Sequence, residues 1–468
     1  MNKCSHEAQN KHLDKALNNP LDKTGKESLD DWLALLEQRH PSLIDLGLER
    51  VAEVAARLGL TTPKAKVITV AGTNGKGSCV AIIEALLTTV GIRVGTFTSP
   101  HLLAYNERIR IDAENSSDAD ICRAFVAIEQ ACGDISLTYF EFSALAALWL
   151  FAETELDIIV LEVGLGGRLD AVNIVDPDVA VITSIDLDHQ QWLGDSRSVI
   201  SLEKAGVARS GVSLICADPN PPDELLVALD SLGANLILLG QEGFTRHVEQ
   251  HLLTLVATDP DGQVSTFTDL PIPEVPVASA VCAVQALLAL GQGAAGVSMS
   301  DILNAGVVKQ VFAETRIAGR FQRSCFRERQ LVLDVAHNPA AATLLAKRLT
   351  ALGVPRVHCV FGVLADKDIT GIITPLLPLV SRWHVCELPD APRAAVAGEV
   401  AALVYNYAQS VEDAGLALSD SMIRCYDNPE QALGAAVETS APGDMIVVFG
   451  SFYTVAAVLK SSGEGKTK

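Results

Sequence analysis

Val67-Ile-Thr-Val-Ala-Gly-Thr-Asn-Gly-Lys-Gly-Ser78 is the stretch from which the rest of the chain can be read. A β-branched run over Lys66–Ala71 enters a glycine-rich turn, and an Ala/Ile/Leu-rich helical pattern follows over Gly77–Val90. Strand, glycine turn and helix N-terminus together form a nest of backbone N–H groups for an anion, and Lys76 has the length to reach the outer phosphates of a nucleotide. Gly72, Thr73, Asn74, Gly75, Lys76, Gly77 and Ser78 are therefore the expected phosphate contacts. Two positions depart from the general phosphate loop. Val70 stands where the first glycine belongs, and Gly77 follows the lysine where Ser or Thr holds magnesium. Another hydroxyl has to serve the metal.

Outward from this unit, apolar runs at Asp157–Val163, Asp178–Ser184, Gln330–Val335, Arg356–Phe361 and Asp444–Gly450 read as buried strands. They alternate with helical patterns at Leu29–Gln38, Glu49–Leu58, Asp118–Cys132, Glu141–Glu153, Ser198–Arg209 and Val277–Leu290. Such alternation predicts an α/β fold with parallel-rich sheets and helical crossovers. Pro219–Pro276, richer in Pro and Asp, reads as a smaller β-containing appendage. A chain of 468 residues exceeds one ordinary core. The pattern predicts a loose polar arm over 1–27, one unit over 28–315 and a second over 316–468, divided near Glu314–Gly319 where a helical run gives way to a new strand.

Composition narrows the classes. With 49% hydrophobic and 20% charged residues the chain buries enough apolar surface to fold. Its 36 Lys and Arg against 57 Asp and Glu give −21, which repels nucleic-acid backbones and anionic lipid. Ten scattered cysteines without a C-x-x-C pair suggest neither a zinc knuckle nor a disulfide framework and fit a reducing cytoplasm. The N-terminal residues carry no apolar signal core. The uncharged stretch Val275–Ser300 is broken by Pro276, Gln285 and Gln292, so it reads as a buried helix and not a membrane span.

Chemistry-bearing side chains cluster at strand ends. Glu162 closes a strand that breaks at Gly164, Gly166 and Gly167, which puts a carboxylate at the mouth of the sheet beside the phosphate loop, where magnesium needs oxygen. His189 follows another strand end, and Lys204 lies in Glu203-Lys-Ala-Gly206; spacing alone leaves both open between metal site and solvated surface. Asp334 and His337 project from the strand end in Gln330-Leu-Val-Leu-Asp-Val-Ala-His-Asn-Pro339, and Arg320 precedes them at the junction, placed to swing onto a transferring phosphoryl group.

G-T-N-G-K-G-S, Thr98-Ser-Pro-His-Leu102, Leu137-Thr-Tyr-Phe-Glu141, L-E-V-G-L-G-G-R-L-D, Asp188-His189, E-K-A-G, D-V-A-H-N-P and Gly450-Ser-Phe-Tyr-Thr-Val455 occur in one order. Together they resemble the bacterial dihydrofolate synthase/folylpolyglutamate synthase family of the Mur ligase superfamily, from about Leu29 to Leu459. The resemblance implies a P-loop ATPase domain, a C-terminal Rossmann-like domain and an active site between them. It implies that Ser99, Glu162 and His189 hold Mg²⁺, most simply two ions, and that Lys204 is N6-carboxylated, which converts a cation into an oxygen ligand. It implies ATP contacts from Arg320 and Asp334, glutamate contacts from His337 and Ser451, and a pterin site formed by Asp45, Leu46, Gly47, Thr138, Tyr139, Phe140, Glu141 and Asp170. Lys76, Arg320 and His337 then carry catalysis.

The implied reaction is ATP-dependent: a substrate carboxylate takes the γ-phosphoryl group, and the amine of L-glutamate displaces phosphate. The implied partners are dihydropteroate, reduced folates, L-glutamate and ATP, handled by a monomer without nucleic acid or membrane. Similar enzymes carry P-N-A-A-T-A where this chain has Pro276-Val-Ala-Ser-Ala-Val281, so Val277 replaces an adenine-binding Asn, and Tyr453 replaces a His. The rival readings are another Mur-type amino-acid ligase, a regulatory P-loop NTPase and a silent binding protein. The regulatory reading wants N-K-x-D, and Ala365-Asp-Lys-Asp368 lacks its asparagine.

Overall fold

The computed structural model describes residues 28–463 except 43, 242, 293–295 and 411–421; the arm expected over 1–27 lies outside the described residues. The first sheet contains β1 (Lys66–Ala71), β2 (Val94–Phe97), β3 (Ile109–Ile111), β4 (Glu114–Asn115), β5 (Ile158–Glu162), β6 (Val179–Ile182), β7 (Ser213–Cys216) and β8 (Asn235–Leu238). Their order is β4-β3-β2-β5-β1-β6-β7-β8, antiparallel only at β3 and β4. Apolar side chains on both faces explain the unbroken hydrophobic runs. Val67, Ile159 and Ile182 enter one buried cluster, while Ile68, Val160 and Val181 enter another on the opposite face.

An antiparallel sheet of β9 (Thr245–Glu249), β10 (Leu252–Thr258) and β11 (Val264–Pro271) follows. The appendage expected over Pro219–Pro276 is thus smaller than its composition suggested, because Asp223–Leu232 is a helix and β8 completes the first sheet. Val277–Leu290 is a helix buried nearly all round, which accounts for its lack of charge. Among the described residues no helix is long and apolar enough to cross a membrane.

After the helix Ala305–Glu314 the chain enters a second sheet of β12 (Gln322–Phe326), β13 (Arg329–Leu333), β14 (Val357–Phe361), β15 (Val380–Cys386), β16 (Ile423–Tyr426) and β17 (Met445–Phe449). Its order is β12-β13-β17-β14-β15-β16, parallel except for β12, with its own clusters on both faces. Two further boundaries differ from the sequence reading: one helix starts at Tyr139, and Arg197–Ala205 stops before Arg209. None of the described cysteines forms a disulfide.

Candidate active site

Parallel strands deliver their C-terminal loops to one rim. β1 leads into Gly72–Gly75, β5 ends at Glu162, and β6 runs toward His189. The helix Lys76–Thr89 begins behind Gly75, which sits at φ 86° with no side-chain cap, and in its first turn the Gly77 N–H donates to the Glu162 carboxylate. A Cβ on Gly75 would lie 2.3 Å from Ser279 Oγ, so only glycine fits there. Thr73 N donates to Ser184 O at 2.9 Å, and Asn74 N donates to Ser184 Oγ at 3.0 Å, which pins the loop to the end of β6. Lys76 Nζ folds back to donate to Gly72 O at 3.0 Å and Thr73 O at 3.4 Å.

Glu162 is buried, and its Oε2 accepts from Ser99 N at 3.1 Å. Burial raises its pKa, against the pull of the Lys76 charge. Burial also lowers the Lys76 pKa, which Glu162 opposes. Gly167 lets the loop after β5 lie on the backbone of the helix Arg197–Ala205, since a Cβ there would meet Glu203 O at 2.9 Å and Lys204 Cα at 3.2 Å. That contact sets Lys204 in the site. Its side chain is buried without an ion pair or hydrogen bond to any described residue, and burial, helped by the Lys76 charge, lowers its pKa to about 7. His189 is kept neutral by burial, which lowers its pKa to about 4 against the pull of Asp188.

The second half closes the site. Arg320 lies with its guanidinium 5.3 Å from the Phe452 ring and is attracted to Asp334 and Glu162. Asp334 accepts from Phe321 N at 2.9 Å and Ala336 N at 2.8 Å. His337 Nδ1 is 2.8 Å from Val335 O, and its Nε2 lies 3.5 Å from Asp188 Oδ2. Burial pushes the Asp188 carboxyl up, but His337, His189 and Lys367 outweigh it and hold it well below the usual range. Lys367 Nζ donates to Asp188 Oδ1 at 2.6 Å, Asn338 Nδ2 donates to Asp188 Oδ2 at 3.0 Å, and the Asn74 and Asn338 amides exchange bonds of 3.0 and 2.9 Å.

Of the residues expected from sequence, Gly72 to Gly77, Ser99, Glu162, His189, Lys204, Arg320 and His337 line one cleft of about 100 Å³. Ser78, Asp334, Asp170 and Ser451 are outside its wall, as are Asp45, Leu46, Gly47 and the Thr138–Glu141 segment. Thr138 and Glu141 form a reciprocal cap on the helix Tyr139–Ala152, with Thr138 N to Glu141 Oε2 at 2.7 Å and Glu141 N to Thr138 Oγ1 at 3.2 Å. Asp45 pairs with Arg50 at 2.7 Å, and Arg50 also reaches Glu141 at 3.2 Å.

Asp170 accepts from Leu165 N at 2.8 Å and Val172 N at 3.1 Å, and burial raises its pKa to about 7. Ser451 caps its helix by accepting from Thr454 N at 3.1 Å. Phe140 stands directly behind the cleft wall: a Cβ on Gly164 would meet its Cζ at 2.5 Å. Asp188, Asn338 and Lys367 were missed as site residues. Each lay inside a quoted motif, and only the pairing of the two halves reveals its partner.

Residues 70–250 match the Mur ligase middle domain, and residues 319–452 match the Mur ligase glutamate ligase domain. The chain is 42% identical over 433 residues to the dihydrofolate synthase/folylpolyglutamate synthase of Escherichia coli strain K12, spanning 92% of this chain and 95% of that protein. It superposes on E. coli FolC in complex with DHPP and ADP with a TM-score of 0.84 at 38% identity, covering 96% of this chain and 100% of that one. Against the bifunctional folylpolyglutamate synthase/dihydrofolate synthase of Yersinia pestis complexed with AMPPNP and Mn ion, the TM-score is 0.81 at 39% identity, with 95% and 99% covered.

Proposed function

On the premise that this chain belongs to the dihydrofolate synthase/folylpolyglutamate synthase family of Mur ligases, we propose how its cleft divides the work of ligation. The protein is an ATP-dependent amide-forming ligase that adds L-glutamate to dihydropteroate and to reduced folates. One observation carries the reading of the site: residues from both halves converge on the phosphate loop, Lys76 and Glu162 from the first, Arg320 and His337 from the second. The backbone N–H groups of the glycine turn and the Lys76 charge hold the phosphates. Arg320 faces the group in transfer, and His337 faces the incoming glutamate. Ser451 shapes the glutamate side through its helix, and Asp334 holds Arg320 in place. Phosphorylation turns a poor acyl donor into one with a good leaving group, so these residues act by alignment and charge stabilisation.

The donors present fit a divalent cation. Ser99, Glu162 and neutral His189 border one cleft, and buried Lys204 lacks a partner there. We assign these four as the holders of Mg²⁺, two ions being the simplest count, with Lys204 N6-carboxylated; bound metal would screen the converging phosphate and carboxylate charges. Only the neutral amine takes up CO₂, and with a pKa near 7 the neutral fraction grows as pH rises through that value. A mass excess of one carboxyl group, labile to acid, supports the modification; an unmodified lysine in fully active protein overturns it. Phe140 and Tyr139 are proposed to back the pterin, with Asp45, Leu46, Gly47, Thr138, Glu141 and Asp170 shaping its loops. Units of 28–315 and 316–468 fit the change of sheet, and because both cleft walls come from one chain we propose a monomer, working in the cytoplasm.

Phosphate release from ATP with dihydropteroate or tetrahydrofolate, each with and without glutamate, tests the reading. Release that needs a pterin acid and glutamate together is expected. Release indifferent to both overturns it.

A further inference from the structure

The segment Ser99–Ala104 joins β2 to a short turn, Tyr105–Arg108, and touches both halves of the molecule. At its front, Ser99 N donates to Glu162 Oε2 at 3.1 Å, next to the phosphate loop. At its back, Leu102 reaches the second half: a Cβ on Gly319 would meet Leu102 Cδ2 and Val455 Cγ1, each at 3.3 Å. Leu102 and Leu103 also pack on the buried cluster beneath β13 and β17. Gly319 directly precedes Arg320 of the cleft.

Neither a strand nor a helix ladder satisfies the N–H groups of this irregular segment. One side chain satisfies three of them. Glu107 Oε2 accepts from Leu102 N at 2.7 Å, and Oε1 accepts from Leu103 N and Ala104 N at 2.8 Å each. Its own backbone carbonyl takes the Thr98 hydroxyl at 3.2 Å, tying the turn to the residue before Ser99. Three charge-assisted bonds at these lengths make a rigid clamp. Glu107 does not line the cleft.

We propose that Glu107 is a positioning residue for the ligation, holding the segment in the one shape that sets Ser99 against Glu162 while Leu102 is docked on the second half. Docking of the halves and completion of the metal-binding edge are then one event. The proposal rests on the reading of Ser99 and Glu162 as metal holders.

The test is Mn²⁺ titration by electron paramagnetic resonance on the full chain with AMPPNP, beside kcat, KM for dihydropteroate and thermal unfolding, for the parent, Glu107→Ala and Glu107→Gln. Loss of the clamp is expected to weaken Mn²⁺ binding and kcat by roughly tenfold or more in Glu107→Ala, with KM for dihydropteroate less affected. Glu107→Gln keeps one oxygen and should fall between Ala and parent, and it carries the test if the Ala variant does not fold. Parental Mn²⁺ affinity and kcat in either folded variant, with or without a lower melting temperature, overturns the role of Glu107. A parent that binds no Mn²⁺ with AMPPNP overturns the metal reading and this proposal together.

Discussion

Two strand-turn-helix units meet at the cleft, one from each half, and they use the same topology in opposite ways. After β1, the helix Lys76–Thr89 starts behind Gly75 with no side-chain cap. After β13, the helix Pro339–Leu352 starts with Pro339, which has no N–H to offer, and Asn338 Oδ1 accepts from Ala341 N at 3.0 Å. The first helix has no cap from its own N-cap residue, and of its first donors the Gly77 N–H is taken by Glu162 from the neighbouring strand. The second satisfies its own and presents side chains, Asn338 and His337, across the cleft.

The sharpest break of this contrast is Lys76→Ala, which removes the charge that accompanies the first helix start and no core volume. Both ligase activities should fall by roughly 10²–10³ or more, with the melting temperature unchanged. Turnover near that of the parent would defeat the phosphate-loop assignment.

A smaller effect separates cap from bridge in the second unit. Asn338→Ser keeps a capping oxygen but is too short to reach Asn74 and Asp188. It should leave the melting temperature near the parent's and lower kcat by about tenfold or more, as the three hydrogen bonds to Asn74 and Asp188 at the contact between the halves are lost. Asn338→Ala should show the same kinetic loss and give up a further ~1 kcal/mol of stability with the cap. Equal kinetics for Ser and parent would reduce Asn338 to a cap.

The smallest effect concerns a third helix start. Val277 opens the helix after Pro276, which also provides no side-chain cap, and it packs half-buried against the apolar cluster below. Val277→Asn should improve KM for ATP, but not for GTP, by roughly two- to tenfold, the worth of one neutral hydrogen bond of ~0.5–1.5 kcal/mol. A poorer KM for ATP would mark Val277 as packing alone.

How much of this was legible depended on whether a residue's role is local. The run Lys66–Ala71 appears as β1 with its predicted limits, because two-sided burial demands apolar residues throughout. Short strands such as Val94–Phe97 and Asn235–Leu238 carry too few residues to show a period, and β8 was absorbed into the supposed appendage. Glu162 and Lys76 could be placed beside each other because adjacent parallel strands end together. Asp188 could not, since its partners Asn338 and Lys367 lie across the cleft in the other half. Thr138 with Glu141 and Ser451 carried a cap signature that the sequence reading left aside in favour of ligand contact.

The cations buried in the cleft have a kinetic consequence. The Lys76 charge lies close to the Glu162 and Asp188 carboxylates and inside a chain of net charge −21, so it attracts a nucleotide only at close range. An approaching ATP anion first meets repulsion and feels the cleft only within about a Debye length, ~10 Å at 0.1 M salt. Moderate ionic strength screens the outer field more than the buried one, so added salt should accelerate nucleotide association, opposite to the usual trend for polyanion-binding proteins.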